Sequence, residues 1–199
     1  MKGRKDRRES PIQAKHRKTS IAPSIGFPPV ARSDARCLIL GSLPGQRSIR
    51  AGQYYAHPQN AFWTIMQEIT GAAGSYEQRC EALLEHGIAL WDVLAASVRP
   101  GSMDANIDIE SAKVNDFNQF FSAHRGIELV GFNGKKAAQM FQRFVVLDDP
   151  GWPMRFVTLP STSPAFASMA CAEKLATWRS IITQQERWRR LRDGGRTIS

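Results

Sequence analysis

Side chains able to do chemistry gather in a few short stretches of the 199-residue sequence. Gly41-Ser42-Leu43-Pro44-Gly45 is a glycine-bounded turn behind an apolar run, and glycine lets an anion approach the backbone closely. The turn matches neither the G-x-G-x-x-G fingerprint nor a phosphate loop ending in Gly-Lys-Ser/Thr. Alone it reads either as a generic phosphate cradle or as plain strand punctuation. Phe132-Asn133-Gly134 offers an amide that either binds a ligand or favours a left-handed turn. Ser161, Thr162 and Ser163 offer hydroxyls for phosphate contact, and Ser161 and Ser163 are equally able to cap the last helix. His57 precedes Pro58, so it either takes part in chemistry near neutral pH or caps a helix. Asp92 and Asp104 are the nearest carboxylates by segment for acid–base work. Cys37, Cys80 and Cys171 are odd in number and far apart. They fit a reducing cytoplasm and exclude a four-cysteine zinc or iron–sulfur site from this chain alone. No metal and no cofactor is expected.

Short apolar runs closed by Gly or Pro predict the strands that carry these loops. They are Cys37–Leu40, Glu128–Phe132 and Arg155–Pro160, with a shorter one at Ile88–Trp91. Helical spacing fills the gaps at Pro58–Ile69, Tyr76–Glu85, Val114–His124, Gly134–Phe144 and Phe166–Arg192. Alternating strands and helices imply right-handed crossovers. The fold class expected is a three-layer α/β/α sandwich around a central, mostly parallel sheet of four to five strands. In such a sheet the loops beyond the carboxyl ends of the strands converge on one crevice.

Composition sets the remaining bounds. With 42% hydrophobic and 23% charged residues the chain can bury a core as one domain. No stretch reaches the roughly 18 apolar residues of a membrane span, and no apolar segment follows the basic start as in a secretory signal. A cytoplasmic place is expected. The net charge of +9 is uneven. Residues 1–20 hold eight Lys or Arg against two acids, and residues 183–199 hold five against two, which leaves a neutral middle. Two basic ends fit contact with a polyanion through released counterions, or simply solvated ends. We divide the chain into a basic arm at 1–33, expected to be disordered or loosely attached, a body at 34–182 and a basic helix end and tail at 183–199. Nothing calls for an oligomer, so a monomer is expected.

The combination of Gly41-Ser-Leu-Pro-Gly45, Gln53-Tyr-Tyr-Ala-His-Pro-Gln-Asn-Ala-Phe-Trp63 and Leu159-Pro-Ser-Thr-Ser-Pro-Ala165 resembles the uracil-DNA glycosylase superfamily. Within it the pattern is similar to the hypoxanthine (deoxyinosine) branch, related to the mismatch-specific uracil and thymine enzymes. The resemblance spans about residues 36–182. It implies an enzyme that flips a deaminated base out of DNA and hydrolyses its N-glycosidic bond, with no lyase step. Hypoxanthine is the first expected substrate and uracil the second. By that resemblance Asn60 is the catalytic residue, Ser42, Leu43, Tyr55 and Asn133 bind the base, and Gly45, Ser161, Thr162 and Ser163 grip the DNA backbone. His57 and Asp104 are held in reserve. Two departures bear on chemistry. Leu43 stands where many members carry Asp or Asn, and Leu159 replaces the histidine of ring-opening relatives.

Each role has a plainer competitor. Asn60 sits in the first turn of a helix that starts at Pro58, and Tyr55 is either the stacking ring or a core aromatic beside an exposed Tyr54. Phe166 is either a wedge into the duplex or a buried aromatic at a helix start. Leu43 also keeps open a DNA-binding module that retains the scaffold without chemistry. A small-molecule α/β enzyme is disfavoured by the missing nucleotide motif.

Overall fold

The computed structural model describes residues 22–149 and 151–193, with side chains placed up to residue 183. In chain order the elements are β1 (Ser24–Ile25), β2 (Cys37–Gly41), α1 (Gln46–Ala51), α2 (Phe62–Thr70), α3 (Tyr76–Glu85), β3 (Ile88–Asp92) and β4 (Leu94–Ser97). After a 3-10 turn at Asp104–Asn106 come β5 (Lys113–Val114), α4 (Phe117–Ala123), β6 (Leu129–Asn133), α5 (Lys135–Phe144), β7 (Arg155–Leu159) and α6 (Cys171–Asp193).

Four parallel strands in the order β3-β2-β6-β7 make the central sheet. Every residue of β2 and β3 is buried, which requires cover on both faces and explains the continuous apolar runs. The fold is the three-layer α/β/α sandwich, with the sheet at four strands. In the register, Leu40 of β2 pairs with Trp91 of β3 and Phe132 of β6, so the strand ends lie level. Gly41 and Asp92 are therefore neighbours at the carboxyl edge.

Several boundaries differ from the sequence expectation. The second helix begins at Phe62 and not at Pro58. Residues 57–60 form a turn in which the Asn60 N–H donates to the His57 carbonyl at 2.8 Å, and the Asn60 side chain then accepts from the Phe62 N–H. Val114 belongs to β5, because the Asp116 side chain accepts from the Gln119 N–H and starts α4 one turn later. Helix α6 begins at Cys171, not Phe166.

An antiparallel ribbon, β1-β4-β5, also lies beside the sheet. Its strands of two to four residues are too short to show a period of two. It also changes the reading of the arm. Residues 22–33 are attached to the body: Ser24 pairs with Ser97, Val30 bridges Leu90, and the Trp91 indole donates to the Phe27 carbonyl at 3.1 Å. Phe27, Val30 and Ala31 also pack against the core, but in a short proline-broken segment that shows no hydrophobic period. Residues 1–21 and 194–199, most of the two basic ends, lie outside the described residues, as do the side chains from 184 onward.

Candidate active site

The loops beyond β2, β3, β6 and β7 line a cavity of about 480 Å³ that is open on one side. All the site residues expected from sequence line it: Ser42, Leu43, Gly45, Tyr55, His57, Asn60, Asp104, Asn133, Ser161, Thr162 and Ser163. Asp92, Arg99 and Met103 join them, with Arg47 at the exposed rim.

The Gly41–Gly45 loop is held from below. Arg99, 1% exposed, donates one guanidinium N–H to the Leu43 carbonyl at 3.1 Å and another to the Pro44 carbonyl. The same group reaches the Asp104 carboxylate at 3.3 Å. A guanidinium spans such divergent acceptors because its donors form a rigid fork. The Ser102 hydroxyl accepts from the Gln46 N–H where α1 begins. Leu43 is 5% exposed, so this loop presents hydrocarbon and no carboxylate to the cavity.

Gly41 shows how close the floor is packed. A β-carbon there would overlap the Asp92 carboxyl and stand 3.0 Å from the Tyr55 hydroxyl. Only a missing side chain lets both reach the end of β2. Asp92 is 3% exposed, and its Oδ2 has no hydrogen-bond partner. Burial, reinforced by the Asp104 carboxylate and opposed by Arg99, pushes its carboxyl up to about 8. Burial also raises Asp104, against the Ser42 hydroxyl and Arg99.

The two tyrosines have opposite settings. Tyr54 is the core aromatic, 2% exposed, edge-on to Phe27 and donating to the Pro28 carbonyl at 3.2 Å. Tyr55 is half-buried and stacks on Phe62 at 4.1 Å with a 25° tilt. Its φ of 54° is the positive value among described non-glycine residues, a strained conformation for a bulky side chain.

Asn60 is anchored at one end. Its Oδ1 accepts from the Phe62 N–H at 3.0 Å, closing a side-chain turn just ahead of α2 that fixes the side-chain direction. The next residue, Ala61, donates to the Thr162 carbonyl at 3.0 Å and ties this wall to the late loop. His57 accepts at Nδ1 from the Gln59 N–H, so it closes a turn and does not cap a helix.

Asn133 and Thr162 form a reciprocal pair. The Asn133 amide donates to the Thr162 hydroxyl and its carbonyl accepts from the Thr162 N–H, both at 2.8 Å. Thr162 is 1% exposed and Asn133 is committed to it. The pair locks two strand-end loops together. Ser161 accepts from the Ser163 N–H and Ser163 from the Ala165 N–H. They organise their own loop and do not cap α6, which starts eight residues beyond Ser163 at Cys171. Phe166 is also not a helix start; its carbonyl accepts from Lys174 Nζ at 2.7 Å.

Sequence reasoning missed Arg99 and the depth of Asp92. A strand prediction ending one residue later would have put Asp92 at the carboxyl edge. Little in the local sequence marks Arg99, whose two carbonyl partners, Leu43 and Pro44, lie more than fifty positions away. No cluster of three or more His, Cys, Asp or Glu able to hold a metal occurs among the described residues, and none of their helices is long and apolar enough to cross a membrane.

A parallel sheet with a half-open cavity at its carboxyl edge, walled by a ring, an amide and small hydroxyls, has the shape and chemistry to take a planar polar ligand with a phosphate-bearing tail. Known proteins agree. The sequence model of the uracil DNA glycosylase superfamily matches residues 28–182. Two curated relatives are similar: the hypoxanthine DNA glycosylases of Methanosarcina barkeri, 44% identical, and Methanosarcina acetivorans, 39% identical. Each comparison covers 57% of this chain and 73% of the relative. A solution structure from Methanosarcina acetivorans, assigned provisionally as a uracil DNA glycosylase, superposes with a TM-score of 0.69 at 32% identity. It covers 83% of this chain and 99% of that one. The chain belongs to the uracil DNA glycosylase superfamily. It is a DNA glycosylase, a hydrolase of N-glycosyl bonds.

Proposed function

We propose that the protein removes hypoxanthine from deoxyinosine in DNA, with uracil as a poorer substrate, by hydrolysis that leaves an abasic site. The observation that carries this reading is the pairing of a buried Leu43 in the first loop with a pre-oriented Asn60 on the adjoining wall. As the base departs, the sugar takes oxocarbenium character and needs little more than a well-placed water. Asn60 is suited to hold that water: its Oδ1 is anchored on the Phe62 N–H, which leaves the Nδ2 donors of this cavity-lining amide for the water. The relatives named hypoxanthine DNA glycosylase support the choice of base. Ser42, Leu43 and Tyr55 would bound the base, while Gly45, Ser161 and Ser163 would meet phosphates, with Asn133 and Thr162 holding that loop in place. The free thiols of Cys37, Cys80 and Cys171 support a reducing compartment, the cytosol, where DNA is the partner of a monomer. The test is a panel of duplexes carrying hypoxanthine, uracil, xanthine or ethenocytosine, with abasic sites read as alkali-dependent strand breaks. Hypoxanthine should be cut fastest; a panel in which it is left uncut overturns the assignment.

Tyr55→Ala removes a stacking surface worth on the order of 1–3 kcal/mol per base. Single-turnover rates should fall for every accepted base by similar factors, since a ring face does not distinguish edges. A loss confined to one base would assign Tyr55 to edge reading.

Deleting residues 1–20 removes six net positive charges. DNA affinity should drop and the slope of log affinity against log salt should flatten, with cleavage at saturating enzyme nearly unchanged. An unaltered slope would show that the arm does not touch phosphates.

A further inference from the structure

Lys174 is a charged side chain that neither the sequence motifs nor the excision chemistry uses. It lies in the opening turn of α6 and is 5% exposed, whereas lysine is almost never buried without an acidic partner. Its place at the start of a helix also runs against the macrodipole, which favours anions there. Among the described residues no carboxylate pairs with it. The neighbouring Glu173 turns back to accept from the Ala170 N–H at 3.1 Å. What meets the ammonium is the Phe166 carbonyl, 2.7 Å from Nζ, and the face of the Phe166 ring, 5.0 Å from its centroid. A carbonyl dipole and a ring face soften the cost of a buried cation but do not cancel its charge.

The loop that Lys174 holds lines the cavity from Ser161 to Phe166. Its front is fixed by Asn133 and Ala61 at Thr162, and by the Trp178 indole, which donates to the Pro160 carbonyl at 2.9 Å. Its back is tied by Lys174, and the Phe166 N–H in turn donates to the Ser163 carbonyl at 3.0 Å. Little nearby in the chain could neutralise the charge. Residues 150–172 include no Asp or Glu, and Gly134, packed against Ser161, leads into Lys135 and Lys136.

We propose that Lys174 is a positioning residue for DNA: it sets the Ser163–Phe166 turn through the Phe166 carbonyl, and it supplies the buried positive charge that a DNA phosphate neutralises on settling against that loop. This rests on the reading of the loop as the backbone grip and names the cation behind it. The ammonium has three donors and the Phe166 carbonyl takes one. The phosphate is the anion that this lysine lacks in the free protein.

The experiment measures the affinity of the full chain for a duplex with a tetrahydrofuran abasic analogue, at salt between about 50 and 200 mM. Lys174→Met keeps the apolar stem and removes the charge and the donor. Its affinity should fall about tenfold at low salt, and the slope of log affinity against log salt should flatten by about 0.9, the loss of one neutralised phosphate. Single-turnover release of hypoxanthine at saturating enzyme should stay within about threefold of wild type, a split between binding and chemistry. Lys174→Arg should keep the slope. Arg155→Met, at the amino end of β7, loses an equal charge away from the loop and should keep it too. If the methionine variant fails to fold, Lys174→Gln, uncharged but able to donate to Phe166, carries the same comparison. A wild-type slope in Lys174→Met overturns the proposal, whether or not its melting temperature falls, and so does equal flattening by Arg155→Met. Ser163→Ala tests the grip itself. Weaker binding there beside an unchanged Lys174→Met leaves the grip standing, and wild-type binding by both variants removes both readings.

Discussion

Asn60→Ala slows single-turnover excision by at least about a hundredfold, or about 2.7 kcal/mol of transition-state stabilisation. The first loop contributes the hydrocarbon of Leu43 and no carboxylate, so water must be oriented from elsewhere on the cavity wall. Asn60 is held for that task by its bond to the Phe62 N–H. The same bond means that alanine also removes the hydrogen bond that closes the turn before α2, at a stability cost of about 1 kcal/mol. Asn60→Asp separates the two roles. A carboxylate restores the acceptor for the Phe62 N–H and so recovers the melting temperature. It can activate water but also repels DNA phosphates, so its rate should fall between wild type and alanine. If the alanine variant excises at nearly the wild-type rate, the water-positioning role passes to His57 or Asp104.

Arg99→Ala has the largest expected effect on stability. The guanidinium is buried and supplies hydrogen bonds to the Leu43 and Pro44 carbonyls and to Asp104. Its removal strands those acceptors and leaves a void, costing about 3–5 kcal/mol by analogy with broken buried pairs. For a chain of this length that is a drop of roughly 10 °C in melting temperature. Excision should fall at least about tenfold as well, because the freed loop carries Ser42 and Leu43. Arg99→Lys should recover little, since an ammonium cannot serve three divergent acceptors as a planar fork does. A melting temperature within 2 °C of wild type would refute the clamp.

The central strands, the five helices α2 to α6 and the gathering of three motifs at one edge were legible because each rests on a local pattern, whereas the six-residue α1 was not. The runs Cys37–Leu40 and Leu129–Phe132 are apolar throughout because both sheet faces are covered. The illegible features share a different cause. The start of α2 at Phe62 is set by the Asn60 side chain, which competes with helical backbone bonding at Pro58–Ala61. The ribbon β1-β4-β5 is stabilised by pairing between segments some seventy and twenty positions apart, in strands too short for periodicity. Arg99 reads as an ordinary surface arginine before a Pro-Gly turn until the fold places two carbonyls beneath it. Asp92 gains its character entirely from burial beside Gly41. The tally of residue types was sufficient to find the cavity, and insufficient to say which polar groups in it are already spent on the protein itself.

The most direct measurement follows the products of a single turnover on a deoxyinosine duplex, with wild type and Asn60→Ala side by side. Free base is quantified chromatographically, and the strand is examined before and after alkali. The account predicts free hypoxanthine in equal amount to abasic sites, an intact strand until alkali is added, and both products suppressed together in Asn60→Ala. Tight binding of the duplex with no base released would contradict it, and would mark the scaffold as a DNA-binding module that has lost its chemistry.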